Sequence, residues 1–409
     1  MKAIVYHGVG DIRLDDVPEP KIEQPEDVVI KLTASAICGT DLHFIRGTFP
    51  GMEKGTILGH EGVGVIEEVG KNVRNFKVGD RVVVPSTIAC GNCAYCRAGY
   101  YAQCDVANPH GLTAGTAFFG GPKGSGPFQG LQAEYARIPF ANTGLVGLPE
   151  EVSDDQAILL SDIFPTGWFG AEMAHIKPGH TVAIWGCGPV GQFAIASAKF
   201  MNAGRIFAID RVPSRLEKAR SQGAEVINFD EEDPVEMLRT LTRGIGVDCA
   251  IDCVGVDAEC AHKGPAAKKA KALKNEFDRE LKHVAPEQKP HEDNWHPGDA
   301  PTQALRWMIE SCAKAATLSI VGVYPPNLMV FPIGQFTNRN LRLNAGNCNH
   351  RKYIPQLVEM VRMGAIDPAR LISQHQPLDA AIDAYESFDR REGGWLKVEL
   401  LPSSQTAMH

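Results

Sequence analysis

Thr181-Val182-Ala183-Ile184-Trp185-Gly186-Cys187-Gly188-Pro189-Val190-Gly191 decides the fold. Thr181 to Trp185 reads as a buried strand, the three glycines form a G-x-G-x-x-G turn, and Val190 to Phe200 has the character of a helix. A glycine pattern alone recurs by chance. Strand, glycines and helix in that order build a loop for a dinucleotide. Gly186 permits the tight turn, Gly188 the approach of a pyrophosphate, and Gly191 the close packing of helix on strand, while the helix N-terminus offers unpaired N–H groups to phosphate. A second strand, Arg205 to Ile209, ends at Asp210, nineteen residues after Gly191. A carboxylate there hydrogen-bonds the adenosine ribose and repels a 2′-phosphate, so NAD is expected over NADP, with Arg211 and Arg215 pulling the other way.

Outward from this stretch the chain alternates helix and strand. Ser214 to Ser221 reads as a helix, and Val247 to Cys253, Leu318 to Tyr324 and Leu341 to Ala345 read as strands. Alternation of this kind predicts an α/β fold with a doubly wound parallel sheet. Residues 1 to about 155 differ, with short strands such as Val28 to Leu32, Gly62 to Val69 and Arg81 to Val84 punctuated by Gly and Pro. A helix from Tyr353 to Met363 and a strand near Leu396 to Leu400 close the chain. The expected division is a β-rich domain of residues 1–160 and 341–409, and a parallel-sheet domain of residues 161–340. An insertion at about 256–303 breaks the rhythm with runs such as Lys268-Lys269-Ala270-Lys271 and Pro286-Glu287-Gln288-Lys289-Pro290. It reads as a solvated helix plus loop, a functional lid being the other option.

Composition excludes several classes. The 409 residues carry 41 Lys plus Arg against 49 Asp plus Glu, a formal charge of −8, without a basic stripe. Nucleic acid is therefore not an expected partner. No run of about 18 apolar residues exists to span a membrane, and the opening Met1-Lys2-Ala3-Ile4-Val5-Tyr6-His7 turns polar too soon for a signal peptide, so a cytoplasmic location is expected. Eleven cysteines then need an explanation that suits a reducing compartment. Cys90, Cys93, Cys96 and Cys104 follow C-x2-C-x2-C-x7-C. Two-residue gaps let a tight turn aim successive thiolates at one ion, and four soft ligands close a tetrahedron around a structural Zn²⁺. Disulfides and a thioredoxin-like C-x-x-C pair are the alternatives. Cys187, Cys249, Cys253, Cys260, Cys312 and Cys348 sit singly and read as small buried hydrophobes.

Cys38 opens Cys38-Gly39-Thr40-Asp41-Leu42-His43, and Gly59-His60-Glu61-Gly62-Val63-Gly64 follows. Together they bring a thiolate, an imidazole and several carboxylates into a glycine-rich region whose backbone can approach a metal. The order C-G-T-D-L-H, G-H-E-G-V-G, cysteine lobe and G-x-G-x-x-G resembles the zinc-containing medium-chain dehydrogenases over nearly the whole chain. Leu160-Ser161-Asp162-Ile163-Phe164-Pro165-Thr166-Gly167 is similar to the glutathione-independent formaldehyde dehydrogenase branch, in which an Asp replaces the third cysteine ligand.

The resemblance implies a GroES-like catalytic domain, NAD, and two zinc ions per chain. It implies a catalytic zinc held by Cys38, His60 and Asp162 with an open fourth position, and a proton path from Thr40 through the cofactor ribose to His43 and solvent. Glu61 is expected as a supporting group or alternate ligand, and Asp41 as the group that orients the His60 ring. Thr166, Val190, Arg215, Val254, Gly255 and Val323 are expected at the cofactor. The implied substrate is a small alcohol or aldehyde hydrate. A larger alcohol, with Phe44, Phe49, Phe119 and Trp168 lining an apolar site, remains an alternative, as does a nucleotide-binding protein without chemistry. Similar enzymes are dimers or tetramers, so a homo-oligomer is expected.

Overall fold

The computed structural model describes residues 1–111, 115–328 and 331–402. One sheet has six strands, all parallel, in the order Glu225–Asn228, Arg205–Asp210, Thr181–Trp185, Val247–Asp252, Cys312–Ile320 and Arg342–Ala345. Chain order reverses between the third and fourth of these, and ligands of such sheets bind beyond the strand ends at that switch point. Thr181–Trp185 and Val247–Asp252 are almost wholly buried, as expected of strands covered on both faces. Arg342–Ala345 belongs to this sheet, a correction to the expected boundary, which put residues from 341 in the other domain. The expected strand Leu318 to Tyr324 starts earlier and ends at Ile320. There the chain leaves the sheet because Gly322 meets Gly255 backbone to backbone: a Cβ at Gly322 would lie 2.3 Å from the Gly255 nitrogen.

The second sheet has seven strands. Its order is Gln374–Pro377, Val398–Leu401, Val28–Ile37, Gly62–Val69, Arg81–Val84 and Val146–Gly147, with Tyr135–Ile138 also paired to Val28–Ile37. Two helices join the sheets. Asp154–Ser161 starts on a reciprocal cap, in which the Ser153 hydroxyl accepts from the Gln156 N–H and the Gln156 side chain accepts from the Ser153 N–H. Ile163–Met173 packs against Pro189–Phe200 so closely that a Cβ on Gly167 would fall 2.7 Å from the Ala194 nitrogen. The two helices break at Asp162, whose φ of −140° and ψ of −67° are not helical. Pro165 explains the break, since its ring would clash with the carbonyl four residues earlier, at Ser161, in a continuous helix.

The insertion is part solvated helix and part strap. Helix Gly264–Val284 turns its lysines outward and buries Ala266, Ala267, Ala270, Phe277 and Val284, while Arg306 pairs with Glu276 and Glu280 beneath it. The segment after it is not free loop. Trp295 is buried in the core of the first domain with Ile4, Tyr6, Ile12 and Phe44, and its N–H donates to Asp389 Oδ2 at 2.7 Å. Among the described residues, no helix is long and apolar enough to cross a membrane.

Candidate functional site

Cys38 ends a central strand of the seven-stranded sheet and caps helix Gly39–Arg46. His60 and Glu61 immediately precede strand Gly62–Val69, and Asp162 is fixed by the break between its two helices. Three separate parts of the chain thus converge. Asp162 Oδ2 lies 3.5 Å from Cys38 Sγ and 3.4 Å from His60 Nε2, and the donor atoms of Cys38, His60, Glu61 and Asp162 all fall within 4.8 Å of one another. Ligands at about 2.0–2.3 Å from one ion in a tetrahedron stand about 3.3–3.8 Å apart, so the spacing suits a shared cation. All four are buried.

The surroundings also suit an ion. Asp41 Oδ2 accepts from the Cys38 N–H at 3.0 Å and the Gln132 amide at 3.2 Å. Its Oδ1 stands 3.3 Å from His60 Nδ1, yet neither buried atom has a hydrogen-bond partner. A modest turn of the imidazole toward a cation at Nε2 satisfies both, which fits the orienting role expected of Asp41. The other oxygen of Asp162 is held from behind. His350 Nε2 lies 2.7 Å from Oδ1, the Thr166 hydroxyl donates to the same atom at 3.2 Å, and Thr87 Oγ1 stands 3.2 Å from His350 Nδ1. Burial would push the Asp162 carboxyl up, but hydrogen bonds from His350 and His60 outweigh it and hold the group well below the usual carboxylate range.

Glu61 stands with the other three but is bound elsewhere. Both its oxygens accept from the fully buried Lys397, at 2.6 and 2.7 Å, and Lys397 also donates to the Ile37 carbonyl at 3.0 Å. Burial raises the Glu61 carboxyl and the lysine opposes that rise. A charged pair so enclosed is costly to break from either side. Glu61 therefore supports the cluster in this arrangement rather than serving as a free base.

Cys38, Thr40, His43 and Lys397 reach the wall of a cleft of about 1300 Å³, its open mouth included, between the two domains. Gly186, Gly188, Val190, Asp210, Arg215, Val254 and Val323 line the same cleft. Gly186 adopts φ +86°, and a Cβ at Gly191 would fall 1.9 Å from the Gly186 carbonyl, so both need glycine. Asp210 accepts N–H bonds from Cys187, Arg211 and Val212 at 2.7, 2.7 and 2.9 Å. A carboxylate has roughly four acceptor positions, so about one is left for a ribose hydroxyl. Arg211 and Arg391 both pair with Glu259. Arg215 instead lies over the glycine loop, its Nη1 3.8 Å from where a Cβ on Gly188 would be.

Four expectations change. Thr166 does not line the cleft, because its hydroxyl serves Asp162. Gly255 does not line it either: its φ of +73° and the Val323 carbonyl, 2.4 Å from a would-be Cβ, show a residue needed for backbone crossing, held by Asp252 Oδ1. His43 is buried rather than open to solvent, with Nδ1 at 3.0 Å from both Asp257 Oδ2 and Thr48 Oγ1. Phe44, Phe49, Phe119 and Trp168 pack into core clusters, not the cleft. The sequence reading also missed His350, Lys397 and Asp257. They meet the site only through contacts 188 to 336 residues apart in the chain, or across the domain boundary, and no local spacing announces them.

In the cysteine lobe the thiols of Cys90, Cys93, Cys96 and Cys104 gather into one cluster, and none is in a disulfide. Cys93 and Cys104 sulfurs stand 3.9 Å apart, near the edge of about 3.8 Å that Zn–S bonds of about 2.3 Å produce. Backbone N–H groups of Asn92, Cys93, Cys96 and Ala107 point at the sulfurs at 3.3 to 3.5 Å, the polarity a thiolate set requires. The lobe is tied toward the first cluster where the Ala102 N–H donates to Asn349, next to His350.

Comparison with known proteins agrees with this geometry. Residues 24–150 match the alcohol dehydrogenase GroES-like domain and residues 189–262 the zinc-binding dehydrogenase family. The chain is 37% identical, over 98% of its length and 100% of the relative's, to an uncharacterized zinc-type alcohol dehydrogenase-like protein, AdhB, of Bacillus subtilis strain 168. It is 37% identical to a glutathione-independent formaldehyde dehydrogenase of Pseudomonas aeruginosa strain LESB58, over 63% of the chain and 66% of that protein. Among solved structures, alcohol dehydrogenase TADH from Thermus sp. ATN1 superposes with a TM-score of 0.78 at 32% identity, covering 98% of this chain and 100% of that one.

Proposed function

The chain belongs to the zinc-type medium-chain alcohol dehydrogenase family, and from that premise we propose that it oxidises a small alcohol or the hydrate of a small aldehyde, formaldehyde included, with NAD. The observation that carries this reading is the meeting of Cys38, His60 and Asp162 beside a cleft walled by the glycine loop. In it, Cys38, His60 and Asp162 hold a catalytic zinc, and the four lobe cysteines hold a structural one. When bound, the zinc supplies a Lewis acid for a substrate oxygen and NAD an acceptor for hydride. The chain's own residues do the rest. One oxygen of Asp162 faces Cys38 and His60, where it would meet the ion, while His350 and Thr166 fix the other, so the carboxylate does not swing. Thr40, on the cleft wall beside Cys38, accepts the substrate hydroxyl proton. Thr40 passes its own proton on toward His43 as it takes the substrate's. Asp257, kept ionised by Arg46 at 2.8 Å, pairs with His43 Nδ1 and steadies the protonated ring, and the proton leaves through the cleft that His43 lines.

Two arrangements favour NAD. Asp210 retains an acceptor position for the ribose, and Glu259 occupies Arg211, the cation nearest a 2′-phosphate in sequence. Arg215, over the glycine loop, suits the pyrophosphate. With the four aromatics in the core, the apolar wall that the larger-alcohol alternative needs is missing from the cleft. A panel of primary alcohols from methanol to hexanol, with hydrated formaldehyde and acetaldehyde, is read by NADH absorbance with NAD and NADP in parallel. The expected result is the highest kcat/KM for the smallest substrates with NAD. A preference for hexanol or for NADP counts against those parts of the reading, and no turnover with any of them supports nucleotide binding without chemistry.

A further inference from the structure

A further group of metal-ligand side chains lies on the seven-stranded sheet, outside the cofactor cleft. His375 and Glu399 are register partners in neighbouring parallel strands, and Glu399 is also paired, through Ala36, with the central strand Val28–Ile37. Asp155 faces them from the first turn of helix Asp154–Ser161. His375 Nε2 lies 3.1 Å from Glu399 Oε2 and 3.3 Å from Asp155 Oδ2, and the three donor atoms all fall within 4.8 Å of one another.

Glu399 makes the cluster more than a surface coincidence. It is 1% exposed, yet neither of its oxygens has a hydrogen-bond partner. Leaving a buried carboxylate unpaired is among the costlier things a fold can do. The imidazole does not resolve it, since a single Nε2–H cannot serve two carboxylates and its hydrogen bond goes to Asp155. Lys397 is the nearby cation that opposes the effect of burial, but its ammonium is committed to Glu61. Burial, with Asp155 and Asp154 next, pushes the Glu399 carboxyl up to about 8. His375 and Asp155 are half-exposed, so an ion can enter from solvent.

We propose that Asp155, His375 and Glu399 bind a divalent cation of the zinc–manganese class, a third metal site independent of the dehydrogenase chemistry. Two carboxylates balance the charge of the ion, and one imidazole with two carboxylate oxygens is a donor set that such cations accept. Ligand spacings of 3.1 and 3.3 Å fall among the edges of about 2.8–3.6 Å that bonds of about 2.0–2.2 Å give in octahedral and tetrahedral arrangements. The ion staples the start of helix Asp154–Ser161 to the sheet. The end of that helix delivers Asp162.

The test compares the full-length wild type with His375→Gln and Asp155→Asn, both surface changes, and with Glu399→Gln. Each protein is equilibrated with zinc or with manganese alone, freed of loose ion, and its metal counted. The wild type is expected to hold one equivalent more than each variant, and its Tm to rise with added metal where theirs does not, while kcat with the best alcohol stays alike. Glu399 sits mid-sheet, where a variant can fail to fold, so the two surface variants carry the result on their own. Equal metal content in wild type, His375→Gln and Asp155→Asn, or an equal Tm response, overturns the proposal and leaves a proton shared among the three side chains as the explanation.

Discussion

At the scale of the residue, Asp162 is divided between two tasks, one oxygen toward Cys38 and His60 and the other held by His350 and Thr166. Partners of this kind behind a metal ligand are worth about 10- to 100-fold in affinity or activity. His350→Ala is therefore expected to lower kcat/KM by about that factor and to weaken zinc retention in a chelator competition. Loss of activity with unchanged metal affinity would assign His350 to substrate instead. Cys38 and His60, the proposed ligands, were legible because their short glycine-bearing motifs together resemble a known family, and the glycine loop because its turn needs those residues at those offsets. His350 and Lys397 were not legible. A single histidine or lysine carries no periodic signal, and what gives each its role is a partner that the fold brings from far along the chain.

At the scale of the element, the strands and helices around the glycine loop followed from their apolar runs, with ends shifted by a few residues where loops cross. The helix of the insertion was legible as a solvated one, but what holds the insertion down was not, for a physical reason. Its helix buries mostly alanine, which a lysine-rich sequence does not advertise, and the value of Trp295 lies in a core contributed by another domain. Truncating a large buried aromatic costs about 3–5 kcal/mol. Trp295→Ala is expected to destabilise the first domain by about that amount in denaturant titration, and to make residues 285–303 cleave readily under limited proteolysis. Unchanged protease resistance would mean that the segment is held by something other than this side chain.

At the scale of the whole molecule, the two domains are locked by buried ion pairs as well as by apolar contact. Arg46 joins Asp257 to Asp389 in a buried pair, and partly buried Glu259 accepts Arg391 across the boundary as well as Arg211 of its own domain. Burial alone would raise the Glu259 carboxyl, but the two guanidinium groups outweigh it and bring it to about 2, against an ordinary 4.5. A depressed carboxylate contributes stability that is fully present above pH 4.5 and is lost as the pH falls from there through about 2. The contribution is at most about 3 kcal/mol. Glu259→Gln is expected to flatten the acid limb of a stability–pH curve over that window, measured by urea unfolding from pH 5 to 2. Parallel curves would show that the pairing adds nothing. The division into two domains was readable in the change of rhythm near Thr181, but the placement of Arg342–Ala345 was not, because a four-residue edge strand with three of its residues exposed looks the same in either sheet.

The segment that seats Trp295 has one end in the parallel-sheet domain and its middle in the other. Any opening of the crevice between the domains has to tear this tether loose. On the proposed function, the expected outcome is a slow departure of the reduced coenzyme, visible as a burst in the first turnover, which Trp295→Ala would shorten; a linear first turnover counts against it.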